Sequence, residues 1–116
     1  MNVKAFSKEL EDRTKEFAVQ IIRLSAKLPK TPEGNVLRNQ ITKSGTSVGA
    51  NYREANRARS KADFKNKNKI CERESSETQY WLEIISQLQW LSPELLPPVQ
   101  DECSQLLAIF TTIARK

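Results

Sequence analysis

Three glutamates, Glu54, Glu74 and Glu77, are the side chains of this sequence best suited to catalytic chemistry. Together they could bind Mg²⁺ and support phosphodiester chemistry. The chain contains no His, which excludes Ser-His and Cys-His nucleophile pairs and any His-ligated zinc site. Its two cysteines cannot close a zinc site alone. We therefore expect no catalytic residue, no metal and no cofactor, with a metal-dependent nuclease as the alternative.

The same glutamates also suit a structural role. Glu74 projects near the centre of an apolar helical stripe, where an unpaired carboxylate would be very costly. On the preceding helical segment, Ser47 and Asn51 share a polar line with Glu54 and could supply hydrogen bonds to Glu74. We predict a structural polar layer, between helices or between subunits, formed by Ser47, Asn51, Glu54, Glu74 and Glu77.

Basic charge is concentrated in residues 53–73, the basic window. This window carries eight Lys or Arg against three Asp or Glu, a net charge of +5, whereas residues 74–116 carry two against six, a net charge of −4. Such asymmetry suits a polyanion, or an acidic surface on another subunit. Three of its cations recur every four residues and so share a helical face that can follow phosphates. The predicted nucleic-acid-binding residues are Arg53, Arg57, Arg59, Lys61, Lys65, Lys69 and Arg73.

The sequence favours contact with phosphates over contact with bases. Tyr52 is the only nearby ring expected to be partly exposed, which gives little support to base stacking. No segment resembles a recognition helix with Asn, Gln and Arg aimed at base edges. Binding to RNA or DNA should therefore be non-specific and salt-dependent. The alternative is that the basic window is a solvated face, or that it faces the acidic half of a neighbouring subunit.

Four helical segments must position these residues. Pro residues in "LPKTPEG" and "SPELLPP" separate the segments, Pro32 suits a first helical turn, and Ser60 suits the cap of a third helix running to Leu91. Short connections favour antiparallel neighbours, so we predict an all-α, antiparallel up-down four-helix bundle as one domain over residues 1–116. The stripes that define the four segments are Val3, Phe6, Leu10, Phe17, Ile21, Leu24 and Leu28; Leu37, Ile41, Ser44, Val48, Asn51 and Ala55; Phe64, Cys71, Glu74, Thr78, Trp81, Leu82, Ile85 and Leu88; and Val99, Cys103, Leu106, Phe110 and Ile113.

Two glycines stand in the middle of the second helical segment. Gly45 and Gly49 lie one turn apart on a flank of that helix, and each costs roughly 1 kcal/mol of helix stability relative to Ala. We expect them to permit close approach of another helix, with loosely tolerated surface glycines as the alternative.

The chain has the character of a cytoplasmic protein. Nothing in it approaches the roughly 18 consecutive apolar residues that a membrane span needs, and the charged N-terminus does not resemble a signal peptide. Cys71 and Cys103 are expected to be small buried hydrophobes in a reducing compartment.

The central motifs resemble a known family, the four-helix-bundle proteins encoded in intervening sequences of bacterial large-subunit ribosomal RNA genes. The resemblance covers nearly the whole chain. It rests on "SVGANYREANRARSKADF" and "ESSETQYWLEIISQL", and upstream on "LPK" and "LRNQI". Within these runs the matching residues are Ser47, Asn51, Glu54, Arg57, Ser60, Asp63, Phe64, Glu77 and 80–82.

The resemblance implies a four-helix bundle that forms a homo-oligomer, with five-subunit rings as the expected assembly. It also implies kinship with the accessory proteins of diversity-generating retroelements, which present a basic ring surface to nucleic acid and a reverse transcriptase. Two non-enzymatic hypotheses follow. One is an oligomeric accessory or scaffold protein that binds RNA or DNA and a protein partner such as a reverse transcriptase. The other is a self-assembling protein-interaction module, in which Trp81, Trp90 and the glycine flank bury inter-subunit surface.

Overall fold

The fold is a bundle of four helices, which a computed structural model describes for residues 2–116. The helices are α1 (Val3–Ser25), α2 (Pro32–Ala55), α3 (Lys61–Leu88) and α4 (Leu96–Ala114), and no strand occurs within residues 2–116. Each helix packs against the next in the chain, whereas α1 and α4 touch only sparsely. The predicted all-α four-helix bundle is confirmed. None of the helices described is long and apolar enough to cross a membrane.

Side-chain caps fix where three of the helices begin. The side chains of Asn2, Thr31 and Ser60 accept hydrogen bonds from backbone N–H groups three residues further on, at the starts of α1, α2 and α3. Such caps satisfy N–H groups that have no partner within the helix. The predicted roles of Pro32 and Ser60 are confirmed. The expected end of α3 at Leu91 is wrong, because Gln89 adopts a left-handed conformation (φ 55°) and stops the helix at Leu88.

The apolar stripes meet in one core. Leu10, Phe17 and Ile21 of α1 face Val48 of α2 and Phe110 of α4 within it. The predicted stripes fail at their outer ends. Val3 and Phe6 are exposed, because the first turns of α1 extend beyond the residues that could cover them.

The two mid-helix glycines allow α1 and α2 to pack closely. A Cβ atom built on Gly45 would lie 2.8 Å from Ile21 Cγ2, and one on Gly49 would lie 3.0 Å from Thr14 Oγ1. The expected close approach is confirmed, and the neighbouring helix belongs to the same chain. Helix α1 of the same chain therefore packs against both glycines, but Gly49 stays partly exposed, so burial of inter-subunit surface by the glycine flank stays a prediction.

Buried polar groups of the core bond across helices. Thr78 Oγ1 donates to Ser44 Oγ (2.8 Å), joining α3 to α2. Cys71 Sγ donates to the Val48 carbonyl and Cys103 Sγ to the Ser75 carbonyl, each at 3.4 Å. Both cysteines are free thiols, and burial raises the pKa of each to about 12. They are the small buried side chains that the sequence predicted.

A bidentate salt bridge joins α1 to α4, which otherwise touch only sparsely. The Arg13 guanidinium donates to both carboxylate oxygens of Glu102, at 3.1 and 2.6 Å, and also to Gln105. The hydrogen bond with Glu102 raises the pKa of Arg13. This bidentate pair spans the seam where apolar packing is thinnest.

Candidate nucleic-acid interface

The basic window lies at one end of the bundle, the basic end. This end holds the start of α1, the connection 56–60 between α2 and α3, and the end of α4. Asn56 donates to Glu11 at 2.8 Å, which fixes the connection against α1. All seven predicted phosphate-binding residues are exposed there and along α3. Their part of α3, from Lys61 to Arg73, extends about 18 Å at 1.5 Å per residue.

Most of these cations form no ion pair with the residues that the structure describes. Among residues 2–116, Arg53 forms a long ion pair with Glu11 (3.8 Å), and Arg73 forms one with the adjacent Glu74 (3.5 Å). The other five, Arg57, Arg59, Lys61, Lys65 and Lys69, form no ion pair with the residues described. An anion could therefore approach them without displacing a carboxylate.

A groove of about 580 Å³ opens at the basic end between the start of α3 and the end of α4. Every charged residue that lines it is a cation: Arg59, Lys61, Lys65 and Lys116. Apolar atoms come from Phe64, Ile113 and the alanines beside them. Sequence reasoning missed Lys116, because it lies 43 positions beyond Arg73 and only the return of α4 brings it to this groove.

The aromatic residues near the basic window differ from the prediction. Tyr52, expected to be partly exposed, is only 2% exposed, and its ring packs edge-to-face on Phe110 with centroids 5.5 Å apart. Phe64, assigned to the core stripe of the third helix, is 38% exposed and lines the groove. Helical spacing predicts the side of α3 on which Phe64 lies. It does not predict whether other helices cover that side so close to the start of α3.

Among the residues described, Ser47 and Asn51 of the predicted polar layer do not bond across helices. Ser47 donates to the Lys43 carbonyl (2.6 Å) and Asn51 to the Ser47 carbonyl (2.8 Å), so both side chains bond to their own helix. A polar contact between α2 and α3 is made instead by Ser44 and Thr78. Local bonds succeed here because Ser and Asn side chains readily reach the carbonyl one turn earlier.

The glutamates of that predicted layer have different surroundings. Glu54 is exposed, Glu74 lies beside Arg73, and Glu77 accepts a hydrogen bond from Trp81 Nε1 (3.4 Å). The expected bonds from Ser47 and Asn51 to Glu74 are absent among the residues described, so that part of the prediction is wrong. A layer that joins subunits stays a prediction.

The nuclease alternative requires these carboxylates to meet. Within residues 2–116, no three His, Cys, Asp or Glu side chains are grouped so that they could hold a metal ion. Among these residues, Glu54, Glu74 and Glu77 are therefore not brought together as one three-carboxylate site.

These features define an all-helical bundle with one basic end, and comparisons with known proteins agree on the fold. A crystal structure of a protein of unknown function from Bacteroides thetaiotaomicron VPI-5482, described as belonging to the S23 ribosomal protein family, is similar to this chain with a TM-score of 0.83. The two are 36% identical, over 91% of this chain and 98% of the other. No curated protein matches the chain significantly.

The sequence also matches a family model over most of its length. Residues 8–112 match the 23S rRNA-intervening sequence protein family. The chain belongs to this family, which confirms the resemblance drawn from the central motifs.

Proposed function

We propose that this chain is a non-enzymatic accessory or scaffold protein that binds RNA or DNA through its basic end. The observation that carries the proposal is the groove and the exposed cations around it. Five cations of the basic window have no ion-pair partner among residues 2–116, and the groove presents only positive charge. A phosphate backbone is the common cellular polyanion that would use such a surface.

The proposed binding does not read sequence. The exposed face of α3 presents Lys65, Lys69 and Arg73, which suit phosphates. Affinity should then come from phosphate contacts and from release of counterions. If the seven predicted binding residues each contact a phosphate, affinity for a single strand should fall roughly a hundredfold to a thousandfold between about 50 and about 200 mM salt.

We extend the proposal to a homo-oligomer, with the five-subunit ring that the family resemblance implies. Repetition of a weak basic surface around a ring would raise overall affinity through multivalency. Opposite charge on the two halves of the chain also favours contact between copies, because residues 53–73 carry +5 and residues 74–116 carry −4. The resemblance further suggests a protein partner, such as a reverse transcriptase, beside the nucleic acid.

A second candidate function is a self-assembling protein-interaction module without a nucleic-acid role. Exposed apolar side chains at the opposite end of the bundle favour it. Ile22, Val36 and Leu88 lie near the end of α1, the start of α2 and the end of α3, and each is close to half exposed. Exposed apolar surface is a common mark of protein contacts.

Binding of a mixed RNA, followed by fluorescence anisotropy, tests the main proposal. The test variant carries Arg57→Gln, Arg59→Gln, Lys65→Gln and Lys69→Gln. The matched control carries Arg23→Gln, Lys27→Gln, Lys30→Gln and Lys43→Gln at exposed positions outside the basic window. Both sets remove four charges and lower the net charge from +5 to +1.

Salt-dependent binding that the basic-window set removes and the control set preserves would support the proposal. Equal losses in both variants would mean that net charge alone matters. Absence of binding by the natural sequence at about 50 mM salt would rule out the nucleic-acid function. Light scattering on the same samples reports the assembly, since a five-subunit ring has five times the 13.3 kDa mass of the chain.

A further inference from the structure

Phe64 is an exposed ring in a groove that carries only positively charged side chains, whereas the groove beside the exposed Tyr80 carries both signs of charge. It lies one turn into α3, its side chain opens into the groove of the basic end, and Ile113 of α4 lies across from it. Single exposed hydrophobic residues are common on protein surfaces and need no functional explanation. Here, however, the exposed ring is enclosed by Arg59, Lys61, Lys65 and Lys116.

The core beneath the groove does not need this ring. Tyr52 and Phe110 already fill the interior at this end and pack against each other. Phe64 instead presents 38% of its surface outward. A flat apolar surface surrounded by cations matches the two parts of a nucleotide, because a base offers a π-face and its phosphate offers negative charge.

The groove has the size of a small-molecule site. Its volume of about 580 Å³ falls inside the range of about 300 to 1,000 Å³ that is usual for ligand pockets. In a duplex, the faces of the bases are covered by stacking and their edges by pairing, so only the backbone can reach such a groove. An unpaired nucleotide can turn its base onto the ring.

We infer that Phe64 is a stacking platform for an unpaired base of single-stranded RNA or DNA, held by phosphate contacts from the four surrounding cations. This inference rests on the proposed function and adds a substrate class to it. Beyond the groove, the strand meets Lys69 and Arg73, which follow Lys65 at four-residue intervals along α3. The site therefore prefers single strands to duplexes, although it does not read sequence.

An oligoadenylate of about 12 nucleotides and an abasic oligonucleotide of the same length and charge separate stacking from phosphate contact. Both probes are measured by fluorescence anisotropy at about 50 mM salt. The test variant is Phe64→Leu, which keeps apolar bulk and removes the aromatic face. The matched control is Phe6→Leu, because Phe6 is exposed to a similar degree (41%) and lies outside the groove. Circular dichroism verifies that both variants remain helical.

The natural sequence should bind the adenylate roughly 5- to 100-fold more tightly than the abasic probe, the range expected of base–aromatic stacking. Phe64→Leu should reduce this preference to near unity while affinity for the abasic probe stays unchanged. Phe6→Leu should keep the preference.

Three results would overturn the inference, and they differ in what they leave standing. Equal, salt-dependent binding of both probes by the natural sequence would show phosphate binding without stacking, so the proposed function would survive. A preference that persists in Phe64→Leu, or disappears equally in Phe6→Leu, would place the base contact elsewhere. If neither probe binds at about 50 mM salt, the proposed function is ruled out together with the inference.

Discussion

Two phenylalanines at the basic end differ in exposure although their sequence signals are alike. Phe110 and Phe64 both lie on apolar stripes of amphipathic helices. Phe110 is fully buried against Tyr52, whereas Phe64 is 38% exposed among cations. The two residues differ in their position along the bundle. Phe110 lies in the core, whereas Phe64 lies at the start of α3.

This difference in exposure separates a packed interior from the proposed binding groove. The interior around Phe110 depends on close packing, so a change in volume there should be costly. The groove around Phe64 contributes little packing and leaves its cations unpaired among the residues described. Substitutions in the two regions should therefore affect different measurements, and the following experiments test this division from the largest expected effect to the smallest.

Truncation of the two rings should give the largest contrast. Phe110→Ala should lower the free energy of unfolding by about 3 to 5 kcal/mol, because it removes a fully buried ring and leaves a cavity. Phe64→Ala should cost less than about 1.5 kcal/mol, since much of that ring already meets solvent. Urea denaturation measures both. Similar losses in the two variants would contradict the assignment of Phe64 to a surface groove.

Alkaline pH should weaken the interior through its two buried thiols. The folded chain keeps Cys71 and Cys103 protonated up to a pKa of about 12, whereas exposed thiols ionise near 9.0. The unfolded state therefore loses protons first, and the free energy of unfolding falls as pH rises from about 9 toward 12. The maximum slope is about 1.4 kcal/mol per pH unit for each thiol.

A variant with Cys71→Ala and Cys103→Ala isolates this effect. Urea denaturation between about pH 8 and about pH 11 should show a shallower decline for the variant than for the natural sequence. All other titrating groups are common to both proteins and cancel in the difference. Parallel curves would mean that the two thiols are more accessible than the structure shows.

The glycine seam offers a smaller test of interior packing. Gly45→Ala gains about 1 kcal/mol of helix propensity, but its Cβ would lie 2.8 Å from the buried Ile21 side chain. Overpacking costs about 1 to 3 kcal/mol, so we expect a net loss of about 1 kcal/mol. Gly49→Ala is the matched comparison, because its nearest atom is further away, at 3.0 Å, and its net effect should be close to zero. Thermal unfolding that ranks the two in the opposite order would contradict the close contact of Gly45 with Ile21.

Neutralising the basic surface should change stability least. Lys65→Gln and Lys69→Gln remove exposed side chains that form no ion pair within residues 2–116. The free energy of unfolding should change by less than about 0.5 kcal/mol for each substitution. Stability is measured by urea denaturation, and affinity for RNA on the same samples. A large stability change would show that these cations have a structural role and would weaken the division between the two regions.

Prediction from sequence was accurate where the bundle surrounds a residue and failed where the bundle ends. Leu10 and Phe17 lie on the core stripe and are buried as expected, whereas Phe6 on the same stripe is exposed. Periodicity defines the direction of a side chain around its helix, but it does not define how far the neighbouring helices extend. Phe64 was misassigned for the same reason.

Polar residues were harder to place than apolar ones. Helical projection put Glu74 near the core, and its side chain is only 17% exposed, but it pairs with the neighbouring Arg73 instead of a residue of another helix. Ser47 and Asn51 could have bonded to another helix or to their own, and the sequence does not distinguish these choices. Burial of apolar groups has a single favourable direction, whereas a hydrogen bond has several partners of similar energy within reach.

The sequence alone determined the four helices, the cap at Ser60, the main core and the concentration of basic charge, because all of these follow from local spacing and composition. The tertiary structure decided which ring is exposed, that Lys116 joins Arg59, Lys61 and Lys65 around one groove, and that the glycine flank packs on α1. These outcomes depend on where separate helices end relative to one another. Contacts between distant segments fix those relative positions, and no local pattern encodes them.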